Sequence, residues 1–126
     1  MQRAFVSVLS GSVEAAARFY QDLLGLTRHF DSDWFIILTH PEMAGLEFGI
    51  LQRDHAIVPI QAQTAPSGVM MTFVVDDCDK VHARAMLLGA DIIQAPTDMP
   101  YGQRRMLVRD LDGTVVDISA PTAPVR

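Results

Sequence analysis

Apolar residues along this chain change period in the same order twice, from strand-like runs to a helical stripe and back to strands. Ala4 to Leu9 is apolar and β-branched and reads as a strand. Ser10-Gly11-Ser12 interrupts it, and Ser12 stands where a helix N-cap is wanted. Ala16, Phe19, Tyr20, Leu23 and Leu24 then recur at helical spacing within Val13 to Leu24, and Gly25 supplies a stop. Leu26–Phe30, Trp34–Thr39 and Gly45–Leu51 read as strands, with a turn at His40-Pro41.

Residues 53–68 are mixed in character, carry two prolines and read as a linker. The order of elements then restarts. Val69–Val75 is a strand, Asp76 or Asp77 caps a helix running to about Leu88, and Gly89 ends it. Ala90–Ala95 is a short strand, Pro96–Pro100 a loop, Tyr101–Val108 a strand and Thr114–Ile118 the last strand, after an Asp112-Gly113 hairpin signal. The expected organisation is α+β, a single domain over residues 1–126 made of two βαβββ modules. Module 1 covers about 4–52, module 2 about 69–119, and residues 120–126 form a loose tail. Identity between the halves is low; the succession of elements is what repeats.

Bulk composition narrows the partners. A net charge of −5 disfavours nucleic acid, and no apolar window is long enough to span a membrane. Cys78 is the one cysteine, so no internal disulfide and no multi-cysteine zinc site can form, which fits a reducing cytoplasm. The first residues lack the apolar stretch of a signal peptide. Cys78 lies at a helix start, where a thiol pKa can fall, but no histidine is placed beside it.

The segments FYQDLLGL (Phe19 to Leu26) and VRDLDGTVVDI (Val108 to Ile118), at this separation, resemble the vicinal oxygen chelate superfamily. This is the glyoxalase, bleomycin-resistance and ring-cleaving dioxygenase group. The resemblance covers about residues 4–119 and implies paired βαβββ modules curved around a cavity, often completed in a homodimer. It also implies where a metal would bind in enzyme members: at the start of the first strand and on the last strand of each module. Here those places hold Phe5, Glu47, Met70 and Asp117. Phe5 cannot ligate, and the Met70 thioether is a poor match for ions that favour two carboxylates, so no metal and no other cofactor is expected.

Asp117 is then open to several readings: a solvent-facing acid, an acid paired with an arginine, or a cavity acid that with Glu47 shares a proton or receives a cationic ligand. Strand alternation places Phe5 and Ser7, Glu47 and Gly49, and Met70 and Thr72 toward the cavity, with Gly49 leaving room for a ligand. Trp34 either stacks on a planar ligand or plugs a barrel end or dimer seam. Tyr101, Gln103 and Arg105 share one face of the strand after the Met99-Pro100 rim turn; Arg105 binds an anion, neutralises Asp117 or makes a surface ion pair. The resemblance adds that an aromatic before a glycine, as at Tyr101, lines the groove of binding members. Met70 and Met99 are the methionines placed near a ligand.

Three functions compete. The first is a small-molecule binding protein for an aromatic or cationic natural product such as an antibiotic. The second is a metal-dependent lyase, isomerase or dioxygenase. The third is a module whose cavity is filled by Phe5, Trp34 and Met70 themselves.

Overall fold

The structure is a computed structural model that describes residues 1–122. The described chain forms two compact units, Met1–Pro66 and the residues from Ser67 onward. Unit 1 is built from β1 (Val6–Ser10), α1 (Val13–Leu24), β2 (Thr27–Asp31), β3 (Phe35–His40) and β4 (Met43–Gln52). Unit 2 repeats the order with β5 (Met70–Val74), α2 (Cys78–Leu87), β6 (Asp91–Asp98), β7 (Gln103–Arg109) and β8 (Val115–Pro121). The sheet orders β1-β4-β3-β2 and β5-β8-β7-β6 match, each with one parallel pair, β1 with β4 and β5 with β8. The two βαβββ modules expected from the sequence are therefore present.

The helical stripe of α1 makes the unit 1 core. Ala16, Tyr20 and Leu23 are fully buried where α1 packs on β3 and β4, whose Ile36, Leu38, Phe48 and Ile50 are buried as well. Tyr20 meets Phe48 edge to face, with ring centroids 4.8 Å apart. Gly25 closes the helix at φ 72°, a conformation that disfavours a side chain, and donates to the Gln21 carbonyl. Ser12 occupies the N-cap backbone position but its hydroxyl makes no capping bond. In α2 the cap is Asp77, which accepts from Lys80 N at 3.1 Å. Beneath α2 lie Met106, Val108, Val116 and Ile118, all fully buried.

Several boundaries differ from the sequence expectation, each for a tertiary reason. β6 runs through Pro96 to Asp98 where a loop was expected. It is an outer strand of its sheet, and its register shifts between Gln94 and Thr97, so the missing proline N–H costs no regular ladder bond. β7 begins at Gln103, leaving Tyr101 in the preceding turn. β8 continues to Pro121 through pairing of Arg104 with Ala120 and Gln103 with Pro121, so Ala120 and Pro121 are not loose tail; residues 123–126 lie outside the described residues. The stretch expected as a linker contains a 3-10 turn, Ile60–Ala62, and buries Val58 in unit 1.

The hairpin before β8 depends on Asp110 more than on Asp112-Gly113. Asp110 is nearly buried, and its Oδ1 accepts from Asp112 N and Thr114 N, both at 2.9 Å. Among the described residues no helix is long and apolar enough to cross a membrane.

Candidate functional site

Each sheet carries its helix on one face; the other face of each holds most of the expected site residues. In unit 1 that face is aromatic. Phe5 and Phe35 stack with ring centroids 6.3 Å apart, Phe30 lies 5.9 Å from Phe35, and Trp34 lies 6.0 Å from Phe35. Trp34 in turn stacks on His55, with centroids 4.0 Å apart and planes 16° from parallel. Phe5 is 38% and Phe30 47% exposed, so the row presents ring surface to solvent. Exposed aromatic faces of this kind accept planar ligands by stacking.

Strand alternation did bring Phe5, Ser7 and Gly49 together, but not as an opening. A Cβ on Gly49 would stand 2.5 Å from Ser7 Oγ, 3.1 Å from a Phe35 ring carbon and 3.3 Å from a Phe5 ring carbon. The space beside Gly49 is filled by its neighbours, so the glycine permits close packing and leaves no ligand room.

Glu47 is the acid of this face. Arg3 grips it as a fork: Nε donates to Oε2 at 2.7 Å and to Oε1 at 2.9 Å, and Nη2 also donates to Oε1. The Arg3 guanidinium carbon lies 5.0 Å from the Phe5 ring centroid. The Arg3 hydrogen bonds hold the Glu47 carboxyl below its ordinary pKa, and the field of His29 acts in the same direction. Within unit 1 the Glu47 charge is thus balanced by Arg3.

In unit 2 the corresponding face is more polar. Asp117 lies on an inner strand, between β5 and β7, and is partly exposed. Its Oδ1 accepts from Ser119 Oγ at 2.6 Å and its Oδ2 from Thr72 Oγ1 at 3.4 Å. Arg105 does not neutralise it; Arg105 Nε donates to Gln94 Oε1 at 3.1 Å. Gln103 has a buried Oε1 without a hydrogen-bond partner. Met70 is more than half exposed at the start of β5, Met99 N donates to Gln103 O, and Tyr101 is exposed in the turn between them.

Register separates the two acids. Ser7 and Thr72 each lie five residues before their cap residues, Ser12 and Asp77. Ser7 pairs with Gly49, and Thr72 pairs with Asp117. Asp117 is thus the counterpart of Gly49, and Val115, which pairs with Met70, is the counterpart of Glu47. The acids do not occupy repeated positions. Among the described residues no group of three or more His, Cys, Asp or Glu side chains is gathered to hold a metal ion. With Phe5 and Met70 at the implied ligand places and both Glu47 oxygens bound to Arg3, the donor set does not fit a divalent metal.

Sequence reasoning missed Arg3, Phe30, Phe35 and His55. Arg3 had a signal, since residues 3, 5 and 7 share the two-residue period of β1. His55 had none; its partner Trp34 is 21 residues away. Unit 2 also has an open cleft of about 300 Å³ beside the start of α2, bounded by Asp77, Asp79, Asp98 and Arg104, and none of the expected site residues line it. Arg104 bridges Asp79 and Asp98 there, at 3.1 and 3.0 Å. Cys78 at its floor is buried, its thiol donates to Ile118 O, and burial pushes its pKa up, contrary to the fall that a helix start suggests.

Solved structures share this architecture. A glyoxalase/bleomycin resistance protein/dioxygenase family enzyme from Burkholderia phytofirmans PsJN aligns with a TM-score of 0.78 and 22% identity, covering 93% of this chain and 96% of that one. TioX from Micromonospora sp. ML1 aligns at 0.71 and 20%, covering 96% and 99%. Lactoylglutathione lyase from Agrobacterium tumefaciens aligns at 0.70 and 18%, covering 92% and 90%. These likenesses establish the fold. No individually curated protein matches the sequence. The family description matches residues 3–118, and the chain belongs to the Glyoxalase/Bleomycin resistance protein/Dioxygenase superfamily.

Proposed function

We propose that the protein is a metal-independent binding protein for planar aromatic small molecules, recognised on the aromatic face of the unit 1 sheet. The observation that carries this reading is the row of Phe5, Phe35, Phe30 and Trp34, with Phe5 and Phe30 partly exposed. Stacking on such rings is tolerant of ligand substituents and needs no metal. Ser7, Glu47 and Gly49 belong to the same face, and Gly49 lets the Ser7 hydroxyl and the two phenylalanines pack closely. On unit 2, Met70, Thr72, Met99, Tyr101, Gln103, Arg105 and Asp117 supply that unit's own apolar and polar contacts.

The biological form of the proposal is sequestration or carriage of a natural product such as an antibiotic. Membership in a superfamily that includes bleomycin resistance proteins supports it. A homodimer in the cytoplasm completes the proposal. Its support is the exposed apolar surface of Met70 and Val74 on β5, 53% and 66% exposed, and the free thiol of Cys78.

Trp34, the only tryptophan, reports on the site directly. EDTA-treated protein titrated with a panel of planar aromatic compounds should show saturable quenching of its fluorescence. Failure of every compound in the panel to quench it would overturn the reading.

A further inference from the structure

Arg3 lies ahead of β1, outside regular structure, yet its guanidinium is the best-held cation on the unit 1 face. It meets a carboxylate through a fork and a phenyl face at once, with Glu47 16% and Arg3 51% exposed at the side chain. That pairing is how proteins recognise guanidinium and amidinium groups in general.

We propose that Glu47 and the Phe5 ring form a subsite for planar cations of the amidinium and guanidinium class, and that Arg3 is its tethered occupant. The proposal rests on the reading of the unit 1 face as a ligand surface and names the charge of the ligand that face selects. A cationic aromatic ligand displaces Arg3, places its cation on Glu47 and extends its ring along Phe5 toward Phe35. A neutral aromatic uses the rings and leaves Arg3 in place. Arg3 thus screens ligands: it lowers apparent affinity for cations in proportion to the time it spends on Glu47. Occupancy of about nine-tenths corresponds to about a tenfold loss.

The test uses benzamidine and its neutral shape match benzamide, titrated by calorimetry into the wild type, Arg3→Ala, Arg3→Gln and Arg3→Ala/Glu47→Gln proteins, each checked for fold by circular dichroism. Both single variants should bind benzamidine about tenfold more tightly than the wild type. Benzamide affinity should not change, and the double variant should lose the gain. Unchanged benzamidine affinity in both single variants, or a gain that survives Glu47→Gln, would overturn the subsite. If neutral polycyclic aromatics still quench Trp34 in every variant, that failure is confined to the subsite. If neither charged nor neutral aromatics bind any variant, the ligand-face reading fails with it.

Discussion

Trp34 lies flat on His55, ring over ring at 4.0 Å, and so joins the start of β3 to the segment after β4. Gln52 N donates to Trp34 O at 2.8 Å and His55 N to Gln52 O at 3.2 Å, so backbone bonds hold the two segments side by side. His55→Ala removes the cover from one indole face. Trp34 emission should shift to the red, and acrylamide should quench it more strongly than in the wild type. An unchanged spectrum would mean that the stack does not persist in solution.

Gly49 predicts a packing effect. Gly49→Ala places a methyl against Ser7 Oγ, Phe35 and Phe5. Ser7 can rotate away, but both rings must also yield slightly, so the cost should be about 1–2 kcal/mol in urea unfolding. Adding Ser7→Ala should recover part of it, because the closest atom is then gone.

Asp110 should matter more than the Asp112-Gly113 pair beside it. Asp110→Ala leaves the backbone N–H groups of Asp112 and Thr114 without their acceptor, and Thr114 is buried. The expected loss is about 2 kcal/mol in chemical denaturation, with Asp110→Asn milder because one oxygen remains.

Acid stability should depend on Arg28. Its guanidinium donates to both oxygens of Glu14, at 2.9 and 2.6 Å, and also reaches Gln21 and Asp31. The Arg28 hydrogen bond is the main cause that holds the Glu14 carboxyl at about 2, against an ordinary 4.5, with Arg18 helping. A depressed folded-state pKa means that the unfolded chain takes up protons first. The contribution is therefore complete above about 4.5 and is lost as pH falls toward 2. The unfolding midpoint of the wild type should fall more steeply over that window than that of Arg28→Met. Parallel curves would contradict the assignment.

Much of the fold was legible because local signals agreed with it. The stripe from Ala16 to Leu24, the Gly25 stop and the Asp77 cap all mark elements that form where expected. The course of β6 through Pro96 was not legible, because only the outer place of the strand and its register shift make proline acceptable there. The site was legible by face and not by partner. Alternation aligned Phe5 with Ser7 and Glu47 with Gly49, while the Arg3 fork and the His55 stack join residues far apart in sequence. The resemblance put Glu47 and Asp117 at like places on the last strand of each module, whereas strand register matches Asp117 with Gly49.

Native mass spectrometry with and without excess zinc, nickel or manganese tests most directly whether the unit 1 face works without a metal. Wild-type protein should retain none of the three, since Phe5 and Met70 offer no suitable ligand and Glu47 is engaged by Arg3. Retention of one metal per chain, lost on Glu47→Gln, would contradict this and make Glu47 a ligand.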